Sequence, residues 1–347
     1  MKIGQNQRFD IMLLGIVLLS AFLNIFNIWQ DTYANSYYTA AVTSMLQSFH
    51  NFFYASFDPA GYVTVDKPPA AFWLQTIFAY VFGVHGWSVI LPQALAGVGS
   101  VWLIYYLVQP AFGKTAARLA SLVLAVTPIA VAVSRTNNID SLLVFTLLLA
   151  TWLLFRAVNT QKPGWFIGAL ALIGAGFNLK MLQAYMVVPA FYLLYLLAFK
   201  GRRKPKLAVL AAATLVMVGV SASWAVVVDS TSPENRPYIG SSQTNSVREL
   251  AFGYNGVARL TGMARGGSGM AAGPEQPAGN SPLAAEKNNR PAGVVPTDNG
   301  RPAAMSGPDG GGGASGPRGG GMFGTGQPGP LRLFKSELSG QISWLLP

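Results

Sequence analysis

Seven apolar runs are the feature that most constrains what this chain can fold into. A helix needs about 20 mostly apolar residues to cross a hydrocarbon core about 30 Å thick, and all the runs but the short fifth approach that length. The runs cover residues 11–28, 87–108, 116–133, 139–155, 165–177, 181–199 and 207–228. Only 11% of the residues are charged, whereas a soluble protein carries about 25%. The sequence therefore predicts an all-α protein that crosses a membrane several times.

Composition excludes several other classes of protein. The chain has no cysteine, so disulfide frameworks, thiolate nucleophiles and cysteine-based metal sites are excluded. Hydrophobic residues make up 51% of the chain, which is too many for disorder throughout. The net charge of +11 does not indicate nucleic acid, because no soluble segment interleaves basic and aromatic residues.

The distribution of basic residues predicts the orientation in the membrane. Short cytoplasmic connections are enriched in Lys and Arg. With the amino terminus in the cytoplasm, the inner side collects Lys2, Arg8, Lys114, Arg118, Arg156, Lys162 and the basic segment 200–206. Every acidic residue before residue 261 except Asp10 then falls outside. We therefore expect a multi-pass plasma-membrane protein whose functional face is extracytoplasmic and whose basic residues contact anionic membrane lipids.

Composition along the chain predicts three parts. Residues 9–260 form the membrane core, and its first outer loop, 30–86, carries predicted interfacial helices at 33–49 and 69–82. Residues 261–330 are dominated by Gly, Pro, Ala, Ser and Asn, so we predict a disordered outer loop. Residues 331–347 begin a further membrane segment, and we expect the chain to be the front part of a longer polytopic protein.

Charged residues near the outer ends of the spans are the main functional candidates, because ionisable groups at membrane depth are costly. Asp66 and Lys67 come directly before Pro68 and Pro69, which fix the direction of the chain. One interpretation is a carboxylate that takes a proton beside a lysine that holds a phosphate. The alternative is a solvated turn with a snorkelling lysine. Because the two residues are adjacent, we expect their side chains to point in different directions rather than to pair.

Three further outer segments carry clustered polar residues. The turn after the third span holds Arg135, Asn137, Asn138 and Asp140, which suit an anionic oxygen and sugar hydroxyls, or a turn in which Asp140 caps the next helix. Lys180 stands alone on the side that the charge bias disfavours, which slightly favours a phosphate partner. The loop after the last span resembles a binding loop or an ordinary polar loop, and its candidates are Arg236, Tyr238, Gln243 and Asn245.

No known cofactor or metal motif is present in the sequence. His50 and His85 are far apart and lack a nearby pair of acids, so a histidine metal site is not expected. No phosphate-binding loop, dinucleotide fingerprint or nucleophile elbow occurs in a strand–turn–helix context. We expect that no cofactor is required, although a divalent cation bound to a phosphate would be compatible with the chemistry.

An ordered series of short motifs resembles one family of membrane proteins. The motifs are 33–38 (YANSYY), 50–53 (HNFF), 64–69 (TVDKPP), 72–75 (FWLQ), 91–97 (LPQALAG), 135–140 (RTNNID), 176–183 (GFNLKMLQ), 236–246 (RPYIGSSQTNS) and 253–256 (GYNG). Together they resemble the glycosyltransferases that use polyprenyl-phosphate sugars, the family of protein O-mannosyltransferases and lipid A aminoarabinose transferases. Within that family they are similar to the bacterial YkcB/YycA group of mannosyltransferase-like proteins. The resemblance runs from about residue 9 to 262 and resumes at 331–347.

The resemblance implies a GT-C-like helix bundle and a function. The protein would move a mannose-like sugar, or another hexose or aminosugar, from undecaprenyl phosphate to an extracytoplasmic hydroxyl with inversion. Lys67, Arg135 and Lys180 would hold the donor phosphate. The family often has an acidic pair early in the first outer loop, but Ala34 and Asn35 occupy those positions here. The base would then be Asp66 first, Asp58 second, or the nearby Asp31.

The remaining candidates would bind the substrates, and two other functions stay open. The residues assigned to substrate are Asn137, Asn138, Asp140, Arg236, Tyr238, Gln243 and Asn245. One alternative is a transporter or flippase for a lipid-linked or anionic substrate, which would need broken helices or charges at mid-membrane depth. Another is a truncated, non-catalytic remnant that only binds lipid or a partner. The sequence identifies neither the sugar nor the acceptor.

Overall fold

A computed structural model describes residues 10–30 and 34–257 of the 347-residue chain. The predicted disordered loop 261–330, the segment 331–347 and the candidate base Asp31 lie outside the described residues. Lys2 and Arg8, which contributed to the predicted orientation, lie outside them as well.

The described residues are helical, apart from turns and two isolated β-bridges. In chain order, the α-helices are α1 (Ile11–Ile25), α2 (Ser36–Met45), α3 (Phe49–Tyr54), α4 (Ala70–Phe82), α5 (Gly86–Val126), α6 (Pro128–Ser134), α7 (Asp140–Thr160), α8 (Pro163–Lys180), α9 (Val188–Ala198), α10 (Arg203–Ser230) and α11 (Val247–Glu249). Short 3-10 helices cover Ile28–Gln30, Met181–Val187 and Pro233–Asn235, and a π-helical stretch covers Leu250–Val257. The all-helical architecture that the sequence predicts is confirmed.

Among the described residues, five helical segments are long and apolar enough to cross a membrane. They are Ile11–Gln30, Gly86–Val126, Asp140–Thr160, Pro163–Ala198 and Arg203–Ser230. Large apolar side chains on these segments face outward, including Phe22 at 55% and Leu215 at 72% exposure. Such a surface is unfavourable in water and suits lipid, so the structure describes a multi-pass membrane protein.

Two of the five segments each include one predicted apolar run completely and most or part of the next, namely 87–108 with part of 116–133, and 165–177 with 181–198. Gly113, with φ 81°, interrupts α5, and Ser100 and Val101 before it line one cavity together with Leu124 after it. Met181, with φ 50°, ends α8, and Phe166 of α8 stacks on Tyr195 of α9 at 4.0 Å between ring centroids. The chain therefore reverses near Gly113 and near Met181, so that each of these segments folds back on itself.

The connection between α1 and α5 forms a folded platform instead of a plain loop. It contains α2, α3 and α4, and α4 begins directly after Pro69, as expected from the tolerance of proline in a first helical turn. The predicted helix over 33–49 is shorter than expected, because Asn35 caps α2 and a separate helix starts after the cap residue Ser48. The Trp73 indole donates to the Phe52 carbonyl oxygen at 2.7 Å and holds α4 against α3.

Candidate active site on the platform

Two loops meet where the platform approaches the end of α10. Val63 forms an isolated parallel β-bridge with Tyr238, and the Thr64 backbone amide donates to the Tyr238 carbonyl oxygen at 2.9 Å. Gly240 lies so close that a Cβ atom at this position would come within 2.2 Å of the Thr64 carbonyl oxygen, so a larger residue cannot stand there. The loop after α10 is thereby fixed against the strand-like segment that leads into Asp66 and Lys67.

Asp66 and Lys67 form an ion pair with each other. The Lys67 ammonium donates to Asp66 Oδ2 and, at 3.2 Å, to the Asp66 carbonyl oxygen. The Lys67 side chain is 6% exposed and the Asp66 side chain 19% exposed. The prediction that these side chains point apart is wrong. The bend at residues 66 and 67 lets the lysine side chain fold back onto the preceding residue.

One oxygen of the Asp66 carboxylate is available for a further hydrogen bond. Asp66 Oδ1 is buried and accepts no hydrogen bond from any residue in 10–30 or 34–257. A buried carboxylate oxygen without a donor is unfavourable by about 1–3 kcal/mol or more. Such an atom fits a site that receives a hydroxyl or another donor from a substrate.

Three side chains surround the ion pair. Lys67 Nζ lies 5.3 Å from the centre of the Tyr254 ring, and the Tyr254 hydroxyl is 3.5 Å from Asp66 Oδ2. Asn255 donates to the Asp66 carbonyl oxygen at 3.3 Å. Burial and the nearby charge of Asp66 raise the pKa of Tyr37 to about 12. The site therefore carries a neutral phenol, an amide and an aromatic face beside two opposite charges.

Lys180 is connected to this group of residues through Met181, where α8 ends and the chain changes direction. Asn255 Nδ2 lies 3.2 Å from the Met181 sulfur, so one amide contacts both Asp66 and the residue after Lys180. Lys180 itself forms an ion pair with Asp140 at the start of α7. Two of the predicted site residues are thus brought together from positions 40 residues apart.

Asp58 has a different environment from Asp66. Its carboxylate oxygens accept from the backbone amides of Tyr62 at 2.9 Å and of residue 63 at 2.8 Å. Although burial raises the pKa of Asp58, these hydrogen bonds outweigh it and hold the pKa below its usual value. Asp58 closes the turn that leads to Asp66 and is a weak base.

Arg135 and Asn137 contact protein groups around the end of α1. One Arg135 nitrogen, Nη1, donates to the carbonyl oxygens of Leu23 and Phe26 at 2.8 Å each, which are free at a helix C-terminus. The buried Asn137 amide accepts from the Asn35 backbone amide at 2.8 Å and donates to Thr39 Oγ1 at 3.0 Å. Neighbouring Asn138 is half-buried. Contacts of this kind position the platform on the helix bundle.

The loop after α10 is folded largely by its own side chains. Arg236 donates to the side-chain and backbone oxygens of Asn245 at 3.0 and 2.7 Å. The Tyr238 hydroxyl donates to the carbonyl oxygens of Ser242 and Gln243 at 2.9 and 3.1 Å, and the Gln243 side chain is exposed. The carboxylate of Asp229, at the end of α10, accepts from the start of α11. These bonds hold α11 and the π-helical stretch where Tyr254 and Asn255 can reach Asp66.

Sequence reasoning did not assign Tyr37, Tyr254 or Asn255 to the site. The sequence feature that could have identified them is the family resemblance, because Tyr37 lies in the motif 33–38 and the other two lie in the motif 253–256. Within the described part of the chain, no group of three or more His, Asp or Glu side chains is close enough to hold a metal ion. The expectation that no cofactor is required, with a divalent cation allowed, stays a prediction.

Residues 66–224 match the family described as "Dolichyl-phosphate-mannose-protein mannosyltransferase". Two curated relatives come from Bacillus subtilis (strain 168). "Putative mannosyltransferase YkcB" is 55% identical over 381 aligned residues, covering 99% of this chain and 53% of the relative. "Putative mannosyltransferase YycA" is 56% identical over 371 aligned residues, covering 99% of this chain and 54% of the relative. The chain thus spans about half the length of the curated relatives it matches.

A solved structure that matches part of the chain is the Archaeoglobus fulgidus oligosaccharyltransferase tethered to an acceptor peptide. It matches with a TM-score of 0.47 and 18% sequence identity, and the match covers 75% of this chain and 35% of the other.

Proposed function

Because residues 66–224 match the family described as "Dolichyl-phosphate-mannose-protein mannosyltransferase" and the chain is similar to two mannosyltransferase-like relatives, we propose that it is part of a membrane glycosyltransferase. The donor is a sugar carried on a polyprenyl phosphate, and the family resemblance implies undecaprenyl phosphate. The acceptor is a hydroxyl on the extracytoplasmic side. The observation that carries the proposal is the Asp66–Lys67 ion pair, in which Asp66 Oδ1 is buried and has no partner among the described residues.

In the proposed reaction, Lys67 binds the donor phosphate. An ammonium that is 6% exposed forms a stronger contact with an anionic oxygen than one in open water, because the local dielectric is lower. A phosphate at Lys67 also competes with Asp66 for the ammonium. Donor binding would therefore weaken the ion pair and leave the Asp66 carboxylate free to accept a proton.

Asp66 acts as the general base. It takes the proton of the acceptor hydroxyl, whose oxygen forms a bond to the anomeric carbon from the side opposite the phosphate. The bond between that carbon and the phosphate oxygen breaks, and the lipid phosphate leaves with the electron pair, so the configuration inverts. Lys67 stabilises the leaving phosphate, and the enzyme otherwise supplies positioning. Asp58 is the weaker candidate, because both its carboxylate oxygens already accept backbone hydrogen bonds.

Other residues are assigned supporting roles. Lys180, which pairs with Asp140, is the second cation for the phosphate, since it directly precedes Met181, whose sulfur contacts Asn255. Arg135 positions the platform through the end of α1 and has further guanidinium nitrogens for an anion. Asn138 and the exposed Gln243 are the candidates to contact sugar or acceptor hydroxyls, while Asn137, Arg236, Tyr238 and Asn245 hold the loops that shape the site.

The proposed orientation places the amino terminus in the cytoplasm and the Asp66 site on the outer face. It depends on the bias of Lys and Arg toward one set of connections. A reporter that is active only outside the cytoplasm, fused near residue 310, tests this orientation directly. Activity of a cytoplasmic reporter at the same position would contradict it.

The reaction is tested by the release of free polyprenyl phosphate from synthetic undecaprenyl-phosphate mannose. We expect the protein in lipid nanodiscs to release it, and we expect mass spectrometry of copurified lipids to identify the natural donor. A transporter or flippase would move or bind the same lipid without cleaving it. Binding without release would therefore overturn the proposed reaction in favour of those alternatives.

A further inference from the structure

A second site lies at the opposite end of the helix bundle, between α5, α7 and α9. It is a cavity of about 260 Å³ whose lining is mostly apolar. Pro110 of α5, Phe155 of α7 and Leu194 of α9 contribute to its wall, and Phe155 is 37% exposed, so the cavity reaches the surface. Its position on the outside of apolar helices makes it a groove that a lipid chain can enter.

One charged side chain, Arg156, lines this groove. Its guanidinium carbon lies 4.5 Å from the centre of the Trp165 ring and 5.2 Å from that of Trp152. Arg156 Nε is buried, and no hydrogen bond joins the guanidinium to a residue within 10–30 or 34–257. The two indoles therefore hold the arginine by cation–π contacts while its donors stay available for a ligand.

Within residues 10–30 and 34–257, no carboxylate at this end of the bundle is available to neutralise Arg156. Asp10 is the only acidic side chain among the described residues of this end, and it already binds Arg118 and the Tyr105 hydroxyl. The connections at the same end are basic. They carry Lys114, Lys162, Lys200, Arg202, Arg203, Lys204 and Lys206. This excess of positive charge favours an anionic ligand.

We propose that this groove binds an anionic phospholipid, with the lipid phosphate on Arg156 and one acyl chain along the apolar wall. Arg156 stands four residues before the end of α7, about 6 Å along the helix axis, which is the depth of a headgroup for a helix that ends at the interface. Arginine and phosphate match in geometry because two parallel N–H groups can bind two oxygens. Basic pockets between membrane helices are a known form of anionic lipid site.

The proposal does not depend on the transfer reaction, because it concerns groups far along the helices from Asp66. It also differs from general attraction to the membrane surface. Exposed lysines such as Lys204 attract any anionic lipid weakly, whereas Arg156 adds a fixed geometry and a chain-sized groove. The site should therefore distinguish lipids by headgroup charge and should fail when either the arginine or the groove is removed.

The test uses the purified protein in detergent, titrated separately with phosphatidylglycerol and phosphatidylcholine that carry the same acyl chains. Bound lipid is counted by native mass spectrometry. We expect the parent protein to retain phosphatidylglycerol at least 10-fold more strongly than phosphatidylcholine, and Arg156→Gln to lose most of that preference. Arg203→Gln removes an exposed arginine from the same end of the bundle and should leave the preference unchanged.

A second variant tests the groove with Arg156 left in place. Leu194→Trp fills the apolar wall and should weaken phosphatidylglycerol binding about as much as Arg156→Gln does, whereas Leu193→Trp, at a neighbouring position that is 60% exposed, should not. Equal binding of the two lipids by the parent protein would overturn the proposal. So would equal effects of Arg156→Gln and Arg203→Gln, or unchanged binding by a folded Leu194→Trp.

Discussion

Two ion pairs, one on each side of the helix bundle, differ in how completely the carboxylate is hydrogen-bonded. Asp10, at the start of α1, accepts from Arg118, from the Tyr105 hydroxyl at 2.6 Å and from the backbone amides that it caps. Asp66, on the platform, pairs with Lys67, and its buried Oδ1 accepts from no residue in the described part of the chain. We call these the Asp10 cluster and the Asp66 cluster.

The comparison separates a structural ion pair from a functional candidate. The hydrogen bonds from Arg118 and Tyr105 lower the pKa of Asp10 to about 2, so this carboxylate is charged and fully bound at neutral pH. A group with all its lone pairs engaged has nothing left for a substrate. The Asp66 cluster keeps the capacity for one more hydrogen bond and lies beside an aromatic face and an amide. The two clusters therefore differ less in charge or burial than in whether every carboxylate oxygen already accepts a hydrogen bond.

The largest expected effect belongs to Asp66. Asp66→Asn keeps the shape of the side chain but removes its ability to take a proton, so transfer from the donor should fall by roughly 100-fold or more. Donor binding should be retained or strengthened, because the phosphate no longer competes with a carboxylate for Lys67, and the thermal unfolding temperature should change little. Both are measured on the same nanodisc preparation with synthetic undecaprenyl-phosphate mannose. Transfer at the parent rate would show that the base is elsewhere and would remove the functional meaning of the comparison.

Lys67 should have the next largest effect, on donor affinity. A charge-assisted contact contributes about 1.5–3 kcal/mol, so Lys67→Ala should weaken donor binding by roughly 10- to 150-fold. Lys67→Arg should recover only part of the affinity, because a planar guanidinium does not replace a compact ammonium. Equilibrium binding of the labelled donor checks both variants. Full recovery by arginine would indicate that only the positive charge matters at this position.

A smaller effect is expected from Asn255, which contacts Asp66 and Met181. Asn255→Ala removes one neutral hydrogen bond worth about 0.5–1.5 kcal/mol, so transfer should fall by roughly 2- to 10-fold. Rates on the purified variant measure this. Asn235→Ala, at the end of an exposed 3-10 turn, provides a matched control that should leave the rate unchanged. Equal effects of the two substitutions would argue against a role for Asn255 in positioning Asp66.

Substitution of Asp10 should have the smallest effect on transfer, but it should lower the stability of the fold. Asp10→Ala removes a helix cap and an ion pair, and should lower the free energy of unfolding by about 1–2 kcal/mol. Its contribution is present above the unfolded pKa of 3.8 and is lost as the pH falls toward the folded value of about 2. Denaturation of the parent and the variant across that range measures the loss. A large fall in transfer by a stably folded variant would contradict the assigned role.

Most of the fold follows from hydropathy and from residues that interrupt helices. The apolar runs predict the membrane helices because their length matches the bilayer. The gap between the runs ending at 108 and starting at 116 contains Gly113, where the chain reverses, and the gap between 177 and 181 precedes the reversal at Met181. In contrast, the predicted helix over 33–49 was too long, since the local caps at Asn35 and Ser48 outweigh apolar periodicity.

The candidate site follows from the sequence only in part. The position of Asp66 and Lys67 before two prolines identified them as candidates, but adjacency in sequence gave the wrong geometry for their side chains. The Asp140–Lys180 pair joins residues 40 positions apart, and no periodicity reports such a contact. Arg135 was chosen for its charge, whereas its observed partners are backbone carbonyl oxygens at a helix end. Tertiary contacts of this kind are determined by how the helices pack.

The central claim is tested most directly by comparing one cation from each cluster in the same donor-binding measurement. Lys67→Ala and Arg118→Ala each remove the basic partner of a single aspartate. The account predicts that Lys67→Ala weakens the binding of undecaprenyl-phosphate mannose at least 10-fold, while Arg118→Ala leaves the affinity unchanged and lowers the unfolding temperature. Unchanged affinity in Lys67→Ala, or an equal loss in both variants, would contradict it.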